Sequence, residues 1–102
     1  MNKILPIDIP LDKIAEFCQF NQIRKLSLFG SILRSDFRPD SDIDMLVEFL
    51  PGKRIGFLGL AGLEIELTEM LGRKVDLRTP AELSRYFRDR VLKEAEELYV
   101  HR

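Results

Sequence analysis

The sequence contains one cysteine, Cys18, which excludes an internal disulfide and is typical of a reducing compartment. No apolar run approaches the roughly 20 residues of a membrane-spanning helix, and the first residues lack the apolar core of a signal peptide. Basic and acidic residues number 16 and 17, for a net charge of -1, so no basic stripe for nucleic acid is expected. These shortages predict a cytoplasmic protein that contacts neither membrane nor nucleic acid directly.

The chain also lacks internal repeats, low-complexity tracts and any stretch with the composition of a linker. Hydrophobic residues make up 45% and charged residues 32% of the 102 positions, as in an ordinary folded domain. We therefore expect residues 1–102 to form a single domain. Cys18 is expected to be a small buried side chain within its first helix.

Hydrophobic spacing alternates between helical and strand periods along the chain. Apolar residues three and four apart predict helical segments at residues 11–22, 31–37 and 57–71, and from residue 80 toward Tyr99. Alternating or continuous apolar runs predict strands at residues 25–30, 42–50 and 74–79. The order α-β-α-β-α-β-α is typical of a sheet covered by helices, so we expect an α/β (α+β) fold.

Local signals mark where two of these helices end and begin. Gly72 follows the helix predicted at residues 57–71 and stands where a left-handed C-cap residue belongs. Thr79 and Glu82 form a capping-box pattern around Pro80, which suits the first turn of the last helix. The predicted boundaries therefore depend on local chemistry as well as on hydrophobic periodicity.

Asp42 and Asp44 stand at the start of the apolar strand predicted at residues 42–50. Carboxylates two residues apart on a strand leave the same face and repel each other, so solvation or a bound cation must offset their repulsion. Magnesium prefers oxygen ligands and is usually held by one or two carboxylates together with substrate phosphates. The spacing alone fits solvated residues at the start of a strand, and the neighbouring features decide between the two.

Three further features favour a cation site that handles phosphates. Gly30 and Ser31 directly follow one strand and open a helical turn, where glycine allows close approach of a ligand and a helix N-terminus favours anions. Arg34, nearby in the sequence, is a further candidate contact for the phosphates. Asp76 points away from the apolar face of its strand and could join the first two acids if their strands are neighbours. Three carboxylates around two metal ions, opposite such a turn, would suit in-line phosphoryl transfer.

The glycine-serine pair at 30–31, ten intervening residues and the DID stretch at 42–44 resemble the pattern of the nucleotidyltransferase superfamily related to DNA polymerase beta. Over roughly residues 20–100, the chain resembles the smallest members, the minimal nucleotidyltransferases. The matching blocks are FGSILRSDFRPDSDIDMLVEF, LEIELTEMLGRKVDL and RDRVLKEAEELYV. The resemblance implies a small mixed sheet of three or four strands flanked by helices, with ATP as nucleotide donor and two Mg²⁺ ions.

Carried onto this sequence, the resemblance implies a role for each matched residue. Gly30 and Ser31 would hold the triphosphate, while Asp42 and Asp44 would hold the metal ions. Asp76 would be the third acid, ligating the catalytic metal and helping to deprotonate the acceptor hydroxyl. That hydroxyl would attack the α-phosphorus, and pyrophosphate would leave.

Members of this group resemble antitoxins that are paired with a HEPN-domain ribonuclease toxin, and some transfer AMP to a tyrosine of that toxin. The resemblance therefore implies a Mg-dependent protein adenylyltransferase that forms a hetero-oligomer with a HEPN toxin and neutralises it. Two alternatives stay open: an antitoxin that acts by binding alone, and a transferase that modifies a small molecule such as an aminoglycoside. The intact carboxylates disfavour the first alternative, and the short chain disfavours the second.

Overall fold

The computed structural model describes residues 5–102. Its helices are α1 (Leu11–Phe20), α2 (Phe57–Leu71) and α3 (Arg88–Glu94). Its strands are β1 (Ile23–Phe29), β2 (Ile43–Phe49), β3 (Val75–Arg78) and β4 (Glu96–Val100). Short 3-10 turns lie at Gly30–Leu33 and Pro80–Glu82. Over residues 5–102, no helix is long and apolar enough to cross a membrane.

The four strands form one mixed sheet in the order β3-β2-β1-β4. β1 is antiparallel to both of its neighbours, whereas β2 and β3 are parallel. A parallel pair needs a crossover connection, and α2 supplies it between β2 and β3. The expectation of a small mixed sheet flanked by helices is confirmed.

The hydrophobic core lies between one face of the sheet and the helices α1 and α2. Ile43, Met45 and Val47 of β2 are fully buried there, since alternate residues of a strand point to the same side. α1 adds Cys18 to the core, and burial raises the pKa of its thiol to about 12. At neutral pH this cysteine is therefore a protonated packing residue rather than a nucleophile.

The prediction of a helix running from residue 80 toward Tyr99 is wrong. The capping box is present, with the Thr79 N–H donating to Glu82 Oε1 at 2.8 Å, but it opens only a three-residue 3-10 turn. α3 then ends at Glu94, and β4 pairs with the edge of β1 that would otherwise be unpaired. This pairing satisfies the backbone hydrogen-bonding groups along that edge of β1. It stabilises the segment as a strand more than its charge pattern stabilises a helix.

The outer edge of β3 is covered by side chains of α2. Glu64 Oε2 accepts a hydrogen bond from the Leu77 N–H at 2.7 Å, and Thr68 Oγ1 accepts one from the Val75 N–H at 3.0 Å. Gly72 ends α2 with a φ of 72°, in the left-handed conformation expected of it. The two side-chain bonds replace a further strand at this edge and fix the position of β3.

Candidate active site

Three neighbouring strands bring Asp76, Asp44 and Phe29 into one row across the sheet. The Cα of Asp44 is paired with that of Asp76 on β3 and with that of Phe29 on β1. Paired residues on adjacent strands share a face, and such strands lie roughly 4.8 Å apart. The row therefore crosses the face opposite the α1–α2 core. β3 lies beside β2, which is the condition for Asp76 to lie near Asp44.

Asp44 is the member of this row whose charge is most perturbed. Burial raises the pKa of its carboxyl above the ordinary value, and the nearby charges of Asp76 and Asp42 raise that pKa further. Arg78 and Arg34 act in the opposite direction. Asp42 and Asp76 are thus close enough to Asp44 to disfavour its charge, which is the condition that a bound cation would relieve.

The acids do not form a ready-made metal cage. Within residues 5–102, no three carboxylate, imidazole or thiolate groups converge in a metal-binding arrangement. Asp42 is exposed just before β2, and Asp76 instead accepts a hydrogen bond from Arg78 Nη2 at 3.0 Å. Carboxylate oxygens are nonetheless the donors that Mg²⁺ prefers, so the chemistry of these three residues suits this ion.

Gly30 is required at its position by close contact with Asp44. Its φ is 79°, a conformation that other residues rarely adopt, and an added Cβ would stand 2.3 Å from Asp44 Oδ2. Gly30 opens the 3-10 turn that carries Ser31, and the Arg34 N–H closes this turn by donating to the Ser31 carbonyl at 2.9 Å. The predicted turn is therefore directly against the acidic row.

A cavity of about 530 Å³, which we call the α3 cavity, lies at the β1 end of the row. Phe29, Gly30 and Arg34 line it from one side, and α3 with its preceding residue lines it from the other. The residues contributed by this second segment are Phe87, Arg90, Val91 and Glu94. Two arginines and one glutamate give the walls a net positive charge, and two aromatic rings provide flat apolar surface.

A second cavity of about 200 Å³, which we call the α2 cavity, lies beyond the other end of the row. Residues Asp76 to Arg78 of β3 line it, together with residues of α2. Its charged groups are three carboxylates and one guanidinium, from Glu64, Asp76, Glu82 and Arg78. The two cavities thus differ in both size and sign of charge.

Several residues around the acids were not found by sequence reasoning. Arg78 could have been found, because it is two residues from Asp76 on the same strand and therefore shares its face. Phe87 and Arg90 could not, since extending the last helix to residue 99 removed the turn that brings them to Gly30. Phe57 was placed correctly at the start of α2, but nothing local relates it to Asp76.

Comparison with known proteins places the chain in a family. Residues 11–98 match the family described as nucleotidyltransferase domain. A candidate protein adenylyltransferase of Methanocaldococcus jannaschii is 42% identical over 73 residues, which is 72% of this chain and 76% of that protein. The protein adenylyltransferase MntA of Thermococcus cleftensis is 35% identical over 74 residues, or 71% of each chain. The chain therefore belongs to the nucleotidyltransferase domain family.

Solved structures give the same fold. A toxin–antitoxin crystal structure with AMP-PNP superposes with a TM-score of 0.73 at 22% identity, covering 92% of this chain and 76% of that one. A complex of tri-AMPylated Shewanella oneidensis HEPN toxin with its MNT antitoxin gives 0.65 at 22%, covering 89% and 70%. A minimal nucleotidyltransferase structure gives 0.68 at 33% identity, covering 83% and 85%. The two matches at 22% establish the fold alone.

Proposed function

We propose that this chain is a protein adenylyltransferase that acts as an antitoxin. It transfers AMP from ATP to a hydroxyl of a cognate HEPN ribonuclease toxin, with tyrosine as the expected acceptor, and so neutralises that toxin in a hetero-oligomer. The observation that carries the proposal is the pairing of Asp44 with Asp76 against the turn at Gly30. Membership of the nucleotidyltransferase family supports the chemistry, and the relatives named protein adenylyltransferase support AMP and a protein acceptor.

ATP fits the α3 cavity better than the α2 cavity. A triphosphate carries several negative charges, and the walls of the α3 cavity hold Arg34 and Arg90 against one glutamate. Its volume of about 530 Å³ falls in the roughly 300–1,000 Å³ range of small-molecule sites. Gly30 lines this cavity, so the triphosphate would lie along the 30–31 turn and the nucleoside between Phe29 and Phe87. AMP-PNP in a structural relative supports this class of donor.

Magnesium is the metal that the donor set suits. Asp42, Asp44 and Asp76 would hold two Mg²⁺ ions, because hard divalent cations take carboxylate oxygens and phosphates as ligands. When bound, magnesium would neutralise the charge that develops on the phosphates during transfer. The raised pKa of Asp44 supports this assignment, since burial beside two other acids disfavours its charge until a cation compensates it. ATP and a reduced Cys18 both fit a cytoplasmic site of action.

The reaction that follows is an in-line displacement. The acceptor oxygen forms a bond to the α-phosphorus, the bond from that phosphorus to the pyrophosphate oxygen breaks, and pyrophosphate leaves. The proton of the acceptor hydroxyl passes to the Asp76 carboxylate, which faces the row from β3. Arg78 Nη2 donates to this carboxylate, so that hydrogen bond would have to break before the carboxylate accepts the proton.

Transfer of label from [α-³²P]ATP to the purified HEPN partner tests the proposal. The wild-type chain should label the partner in Mg²⁺, whereas the double variant Asp42→Asn/Asp44→Asn should not. Asp40→Asn is the matched control, because Asp40 is exposed in the same loop but outside the row. Full neutralisation of the toxin by the double variant would instead identify a binding-only antitoxin, and label on an aminoglycoside but not on the partner would identify the small-molecule enzyme.

A further inference from the structure

We propose that the α2 cavity is the site where the acceptor side chain docks, and that Phe57 is its apolar wall. The occupant is one neutral hydroxyl side chain with an aromatic ring, presented by a partner protein whose surrounding surface is apolar. This inference rests on the proposed function and extends it by assigning the acceptor, which the comparisons leave unplaced, to named residues of this chain.

The α2 cavity lies at one end of the acidic row. The row runs Asp76, Asp44, Phe29, with the α3 cavity at the Phe29 end and the α2 cavity at the Asp76 end. In-line displacement places the attacking oxygen and the leaving group on opposite sides of the phosphorus. A donor held at Gly30 therefore leaves the Asp76 end open for the acceptor, next to the carboxylate that takes its proton.

The α2 cavity is small. The α2 cavity measures about 200 Å³, below the roughly 300–1,000 Å³ that drug-sized ligands require. It can hold a single side chain but neither a nucleoside triphosphate nor a multi-ring sugar. The acceptor is therefore part of a larger molecule whose bulk stays outside the cavity.

The α2 cavity is negatively charged, and two of its carboxylates accept hydrogen bonds from the backbone. Glu64 accepts from the Leu77 N–H at 2.7 Å, and Glu82 accepts from the Thr79 N–H at 2.8 Å. Three carboxylates against the one guanidinium of Arg78 give the cavity a net negative charge. A phosphorylated or acidic acceptor is repelled there, whereas a neutral hydroxyl is accommodated.

The surface beside the α2 cavity is apolar. Phe57, which lines the cavity, and its neighbour Leu58 are each 83% exposed at the first turn of α2. Two turns further along the same side as Leu58, Ile65 is 60% exposed. This apolar surface is continuous with a cavity that contains the catalytic acid, and apolar surface beside a functional cleft is typical of a protein-binding site.

The Phe57→Ala variant tests the assignment, with Phe20→Ala as its matched control. Phe20 is 87% exposed at the end of α1, three residues before the first residue of β1, whereas the acidic row lies at the last residue of that strand. Both variants should fold, because neither side chain is buried. For AMP transfer to the purified HEPN partner, Phe57→Ala should raise KM for the partner about tenfold. Its kcat and its Kd for AMP-PNP should stay at the wild-type values, as should all three constants of Phe20→Ala.

The outcomes separate this inference from the proposed function. Equal KM values for Phe57→Ala and Phe20→Ala, with a wild-type chain that transfers AMP, would overturn the docking site alone. A wild-type chain that transfers no AMP to the partner would overturn both. A weaker Kd for AMP-PNP in Phe57→Ala would place the donor rather than the acceptor in the α2 cavity, and would also overturn the assignment.

Discussion

The two faces of the sheet are built under different constraints. The face under α1 and α2 buries Ile43, Met45 and Val47 completely, and it gains free energy from every apolar group removed from water. The opposite face holds Asp44 beside Asp76, and keeping like charges adjacent costs free energy. The face under α1 and α2, which we call the covered face, therefore supplies stability, and the opposite, acidic face carries the residues to which we assign the chemistry. Substitutions on the two faces should accordingly separate loss of stability from loss of activity.

The largest effect is expected on the acidic face, where Asp76→Asn should lower AMP transfer about 10³-fold. The amide occupies the same volume but cannot take the acceptor proton, so Tm should not fall. Initial rates with the HEPN partner and a thermal unfolding curve measure both quantities. Glu48→Gln is the control, because Glu48 lies further along the same face of β2 in an ion pair with Arg24. Equal losses in both variants would contradict a specific role for Asp76.

A large effect of the other kind is expected on the covered face. Leu26 is fully buried in β1, and Leu26→Ala should lower the free energy of unfolding by about 3 kcal/mol because a cavity replaces its side chain. Ile65→Ala, at a residue 60% exposed, should change it by less than about 0.5 kcal/mol. Urea unfolding measures both. If the Leu26→Ala variant folded but lost its affinity for nucleotide, the separation of stability and activity between the two faces would be wrong.

A smaller loss of activity is expected where the backbone meets the acids. Gly30→Ala should lower transfer about 10²-fold, because its Cβ would displace the Asp44 carboxyl from 2.3 Å away. Gly52→Ala is the matched control, since Gly52 also has a positive φ, 88°, but has nothing within 4 Å of an added Cβ. Both variants carry the strain of a side chain at positive φ, about 1 kcal/mol. Equal activities of the two variants would show that strain, and not contact with Asp44, is responsible.

The covered face and the acids were predictable from sequence because their signals are local. Alternating apolar residues define β2, the helix predicted at residues 57–71 is observed with those bounds, and the carboxylates at 42 and 44 are two residues apart. Gly30 was also predictable, since a glycine between a strand and a turn indicates close approach. Pairing of Asp44 with Asp76 needed only the assumption that β2 and β3 are neighbours.

The cavity walls were not predictable, because they depend on which distant segments meet. Phe87 and Arg90 reach Gly30 only because the chain turns after Leu83 and then forms β4. The capping box and the helical charge pattern do not indicate that turn. The segment forms β4 because it pairs with an edge of β1 that would otherwise be unpaired. Local chemistry therefore identifies the candidate acids, whereas tertiary packing decides what surrounds them.

The smallest expected effect joins stability and chemistry at one residue, Asp44. Burial and then the charge of Asp76 raise its pKa above the ordinary 3.8, so the folded state binds the proton more tightly than the unfolded state does. The ionised carboxylate therefore destabilises the fold at any pH above the raised pKa, and this penalty disappears as pH falls below 3.8. Asp44→Asn should raise Tm by a few degrees at pH 7 in EDTA, with the difference from wild type vanishing near pH 3. A difference that grew on acidification would show that Asp44 is stabilised as the carboxylate, and that the acidic face is not under strain.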